Sequence, residues 1–101
     1  MQNETLARQR FLDMPVTPGV TVRQLQQAFN EVAQPGDWKG PIRATKLFKT
    51  ATEAQQRGQQ YADAIEYFTA TQAKLKIQPH GGYGVRLEIE AEGYRAGPAG
   101  P

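Results

Sequence analysis

The chain has 101 residues, 39% of them hydrophobic and 22% charged, and its 12 Lys and Arg against 10 Asp and Glu leave a formal charge of only +2. That is the length of one domain, with enough apolar residues for a single core and too many for a disordered chain. Cysteine and serine are absent and His80 is the only histidine, which excludes disulfides, thiolate and serine nucleophiles, and zinc sites built from cysteines or several histidines.

The first segment, Asn3 to Asp13, is predicted as a short or frayed helix, because Ala7, Phe11 and Met14 form only a thin apolar stripe before Pro15 stops it. Val16-Thr17-Pro18-Gly19 reads as a turn. Thr21 then offers an N-cap with Gln24 three residues on, and Val22, Leu25, Phe29 and Val32 recur on one helical face, so a second helix is expected over about Val22 to Ala33. Pro35-Gly36 ends it. Trp38 lies between Gly36 and Gly40 in a loop, where its indole either folds back over the core edge or contacts a partner. Ile42 to Lys49 reads as a strand with imperfect alternation.

Thr50 and Glu53 have capping-box spacing, which predicts a third helix from there to about Thr71. Ala54, Gly58, Tyr61, Ile65 and Phe68 fall on one face of it; Gln56, Gln59, Gln60, Asp63, Glu66 and Tyr67 fall on the other. Glycine inside the apolar stripe implies that another element approaches closely over Ala54 and Gly58. The strongest pattern comes last. Ala73, Leu75 and Ile77 alternate with polar residues, as do Val85, Leu87, Ile89 and Ala91, so two half-buried strands are expected around the loop His80-Gly81-Gly82-Tyr83-Gly84.

Parity leaves two registers for that hairpin, with Lys76 opposite Arg86 or opposite Glu88, and cross-strand charge pairing favours the second. Buried residues must face buried residues, and pairing Lys74 with Glu90 and Lys76 with Glu88 sets Leu75 on Ile89 and Ile77 on Leu87. Phe29, Ile65, Phe68, Leu75, Ile77, Leu87 and Ile89 are the expected core. Residues 93–101, rich in Gly and Pro, read as an extended tail. The fold class is therefore α+β in one domain: two N-terminal helices, then strand, helix, strand, strand, with the C-terminal antiparallel hairpin packed on the long third helix.

No apolar run approaches the roughly 20 residues that span a bilayer, and Met1 to Pro15 has no signal-like apolar core, so the cytoplasm is the expected compartment. The glycine-rich loop before Val85 leads into a strand rather than a helix, so it lacks the helix N-terminus that holds a phosphate. His80 has no second ligand beside it. Asp63 with Glu66, and the row Glu88, Glu90 and Glu92, are solvated carboxylates without the burial that shifts a pKa for catalysis. The order of strand, long helix and strand resembles that of pterin carbinolamine dehydratases over about half the chain. Their tandem histidines have no counterpart around Gln72 to Pro79, so the resemblance implies no activity.

The expected function is a small non-catalytic binding or adaptor module acting through protein contacts, self-association among them, with no cofactor or metal. Tyr67, Tyr83, Trp38 and His80 are the candidate contacts, since they lie outside the core stripes and aromatics favour interfaces. A weak nucleic-acid binder is the alternative, using Arg43, Lys46, Lys49, Arg57, Lys74 and Lys76 if they gather in space. A small enzyme of carboxylate or lysine chemistry is the third reading, and it requires a buried ionisable group in a pocket.

Overall fold

The computed structural model describes residues 2–33, 40–82 and 84–93. In chain order these form helix α1 (Gln2–Leu12), strands β1 (Pro15–Thr17) and β2 (Val20–Thr21), helix α2 (Val22–Val32), strand β3 (Ile42–Phe48), helix α3 (Ala51–Thr69), and strands β4 (Lys74–Pro79) and β5 (Val85–Ala91). The α+β order is the expected one with a single addition. Of Val16 to Gly19, read as a turn, Val16 and Thr17 belong to β1 and only Pro18-Gly19 is the bend of a small antiparallel hairpin in which Pro15 pairs with Thr21 and Thr17 with Val20. Two such short strands leave no alternation to read.

Helix α2 starts where its sequence says it should. The Thr21 side chain accepts from the Gln24 N–H at 3.3 Å, and the Gln24 side chain accepts from the Thr21 N–H at 2.8 Å, a complete capping box. In α3 the reciprocal bond is displaced by one residue: Thr50 accepts from the Glu53 N–H, but the Glu53 carboxylate accepts from the Lys49 N–H. The helix closes at Thr69, two residues earlier than expected. There Ala70 turns to a left-handed φ of 59° and the Thr69 hydroxyl donates to the Ile65 carbonyl at 2.6 Å.

The three-stranded sheet has the order β3-β5-β4, with β5 antiparallel to both neighbours. Its hairpin has the register that parity and charge pairing favour, Lys74 opposite Glu90, Leu75 opposite Ile89, Lys76 opposite Glu88 and Ile77 opposite Leu87. The loop spans His80 to Gly84 and is closed by the His80 N–H donating to the Gly84 carbonyl at 2.9 Å. In β3 the even positions Ile42, Ala44, Lys46 and Phe48 turn toward the helices and Arg43, Thr45 and Leu47 turn away. The alternation looked imperfect because a lysine holds a covered position and a leucine an open one.

Helix α3 lies across the covered face, and α2 packs beside it against β3. Leu25, Ala28, Phe29 and Val32 of α2, Ile42, then Ala54, Tyr61, Ala64 and Ile65 of α3, and Leu87 and Ile89 of β5 form one buried cluster. Three of the expected core residues need correction. Phe68 and Ile77 are only half-buried, and Leu75 is 37% exposed. The reason is position: β4 is an edge strand, so its inward side chains have a neighbour on one side only, and Phe68 lies near the end of α3. Gly58 does mark a close approach. A Cβ there would lie 3.3 Å from Leu75 Cδ1 and 3.4 Å from Leu87 Cδ2, so the hairpin seats against the helix at this point.

Candidate functional site

Helices α2 and α3 run side by side, and each presents a ridge of residues three or four apart along the seam. Gln24, Gln27 and Glu31 flank it from α2; Arg57, Gln60, Asp63 and Tyr67 flank it from α3. Between the ridges lies a groove of about 300 Å³, with Val20, Leu25 and Ala28 supplying its apolar lining. Toward the small hairpin it adjoins a second hollow of about 320 Å³, lined by Val16, Thr17, Glu66 and Tyr67 together with Val20, Leu25 and Asp63. The shared residues make the two one trough.

One end of the trough is fixed by a bonded cluster. Tyr61 is buried, and its hydroxyl donates to Glu31 Oε1 at 2.6 Å, while Arg57 Nη2 donates to the same oxygen at 2.7 Å and to the Tyr61 hydroxyl at 3.0 Å. Arg57 Nη1 donates to Gln60 Oε1, and its guanidinium lies 5.1 Å from the Tyr61 ring centre. The Tyr61 hydroxyl, helped by Arg57 and the charge of Lys46, holds the Glu31 carboxyl below the usual carboxylate range against some desolvation. Burial, and then its bond to Glu31, push the Tyr61 hydroxyl up. The cluster ties α2 to α3.

The other end is marked by Tyr67. Its ring is 42% exposed and stands edge-on to Phe68, 5.0 Å between centres, and Phe68 in turn lies 5.1 Å from the buried Phe29. This stack carries apolar surface from the core out to the trough. Asp63 and Glu66 line that end, with Asp63 accepting from the Gln59 side chain at 2.8 Å.

The other sequence candidates are scattered. Trp38 and Tyr83 lie outside the described residues, and His80 is exposed at the start of the β4–β5 loop. The basic residues form no single patch, although Lys46 and Arg57 both act on Glu31. Arg57 belongs to the Glu31 cluster, Lys46 stands opposite Leu87 on the covered face, and Lys49 precedes α3. Arg43, Lys74 and Lys76 lie on the open face, where the central strand interleaves them with Glu88 and Glu90. Two ion pairs form there, Arg86 to Glu88 at 3.1 Å and Arg43 to Glu90 at 4.0 Å. Among the described residues no three His, Asp or Glu side chains converge as a metal site would require, and no helix is long and apolar enough to cross a membrane.

The Glu31 cluster escaped the sequence reading because its partners are 26 and 30 residues apart. One signal pointed to it: a tyrosine in a core stripe carries a hydroxyl that needs a partner when the ring is buried. The chain matches no known family model, no curated protein and no solved structure.

Proposed function

We propose that the protein is a non-catalytic binding module that holds a segment of another protein in the trough between α2 and α3. The supporting observation is the pairing of an apolar lining, Val20, Leu25 and the exposed Tyr67 ring, with the carboxylates Asp63 and Glu66 beside it. That lining suits a segment with one or two large apolar side chains flanked by Lys or Arg. The aromatic supplies contact area at low rotamer cost, and the acidic residues select for charge.

Selection from a random displayed-peptide library tests this reading. Enriched peptides should combine an apolar anchor with basic flanks, and should bind more weakly in high salt. Tyr67→Ala and Asp63→Lys should each reduce their binding at least about tenfold, a loss of roughly 1.4 kcal/mol, with little change in melting temperature. Peptides that bind both variants as well as the wild type, or a library that yields none, would refute it.

A further inference from the structure

We propose that two copies of the chain associate through β3, aligned antiparallel about a two-fold axis at Thr45, so that their three-stranded sheets become one sheet of six. Strand β3 is an edge: among the described residues it pairs with β5 alone, and its seven residues, Ile42 to Phe48, contain no proline. An edge of this kind presents a row of backbone donors and acceptors to whatever strand can match it. The opposite edge is blunted. Strand β4 carries Lys74 and Lys76 and ends at Pro79, which has no N–H to give.

The sequence of β3 is compatible with its own copy in one register. Residues paired across an antiparallel ladder share a face, so the covered faces of both copies coincide only when a single residue of β3 sits on the axis opposite itself. An axis at Arg43 or Lys46 sets two like charges against each other. An axis at Ala44 shortens the ladder and puts Lys46 opposite Ile42. With Thr45 on the axis all seven residues pair: Ile42 meets Phe48, Arg43 meets Leu47, and Ala44 meets Lys46, with no like charges opposed.

Two features of the surface agree with this register. Leu47 is 61% exposed on the open face, the most exposed of the large apolar side chains described, and it would be covered by the aliphatic stem of Arg43 from the second copy. A hollow of about 390 Å³ lies along the edge of β3 beside the end of α2, lined by Glu31, Val32 and Ala33 and by residues 41–46. Lys46 of the second copy, opposite Ala44, would enter the hollow that Glu31 lines.

The absence of cysteine gives a clean test. Paired Cα atoms across an antiparallel ladder lie roughly 4.5 or 5.5 Å apart, and both distances fall within the range of about 4.4–6.8 Å that a disulfide bridges. Under mild oxidation Thr45→Cys should form a covalent dimer. Arg43→Cys and Leu47→Cys should each stay largely unlinked alone but cross-link when mixed. Sedimentation equilibrium of the wild-type chain should approach twice the chain mass as concentration rises. Leu47→Lys, which opposes Arg43 twice per dimer, should return it to one chain mass while its melt at low concentration stays near that of wild type. A wild-type mass of one chain at every concentration would overturn the proposal, as would cross-linking of Lys76→Cys at the β4 edge as readily as Thr45→Cys.

Discussion

The described residues contain two antiparallel hairpins that differ in almost every respect. The β4–β5 hairpin buries Leu87 and Ile89 completely and shares its second strand with β3, whereas in β1–β2 every residue of the first strand is exposed and both residues of the second are only half-buried. The first is a structural member and the second an edging to α2, into which β2 runs directly. Burial of one face is what gives a strand a readable alternation and a unique register; without it, two or three residues pair because the chain around them leaves them adjacent.

The sharpest test of that contrast is truncation. Leu87→Ala should cost about 2–5 kcal/mol, since it opens a cavity where α3 and both hairpin strands meet. Val16→Ala on β1 should stay within about 0.5 kcal/mol. Chemical denaturation of the two variants measures both. Similar losses would mean that the small hairpin is as integral as the large one.

A finer comparison uses the glycines. Gly19 in the first hairpin has a φ of 83° with open space around it, while Gly84 before β5 has a φ of 128° and its missing Cβ would fall on the Phe48 carbonyl oxygen of β3. Gly19→Ala should therefore cost roughly 1 kcal/mol, from backbone conformation alone. Gly84→Ala should cost upwards of about 2 kcal/mol, because strained backbone and a collision with a neighbouring strand combine. Amide exchange should show the added loss in the Phe48 and Val85 end of the sheet. Equal costs at the two positions would show that the loop shifts freely away from β3.

The smallest effect concerns the link between the region bearing the first hairpin and the rest. Glu31 joins α2 to α3, and its carboxyl is held below the ordinary value by Tyr61 and Arg57. A depressed folded-state pKa contributes stability above the ordinary carboxylate range, near pH 4.5, and that contribution is lost as pH falls through the folded value. Glu31→Gln should flatten this acid limb, leaving the melting temperatures of variant and wild type closer at pH 3 than at pH 7. A gap that widens on acidification would assign the link elsewhere.

Much of this was legible in the sequence, for reasons that differ by residue. The caps at Thr21 and Thr50 and the hairpin register rest on interactions between near neighbours or on parity, and both survive without tertiary knowledge. The burial of Leu75 was overestimated because alternation reports which face a side chain takes, not whether its strand is central or at an edge. Tyr67 was legible as a ring outside the core stripe. The trough it borders was not, since that depends on where β1–β2 sits relative to α2 and α3. The basic residues failed to converge because β5, with Glu88 and Glu90, is inserted among three of them.

That insertion has a consequence for how the chain acquires its structure. Helix α3 carries the chain from β3 to β4, yet these strands do not touch, and the strand that joins them is the last of the eight elements to be made. A ribosome releasing the chain from its N-terminus would present α3 with α2 and β3 to pack against but without Leu87 and Ile89, which are still to come. The hairpin can zip locally once β5 emerges, but the β3–β5 ladder must then close across an intervening helix and strand, the slower kind of closure. Until that moment the edge of β3 that will face β5 is open, and the sheet is at its most adhesive just before β5 closes on it.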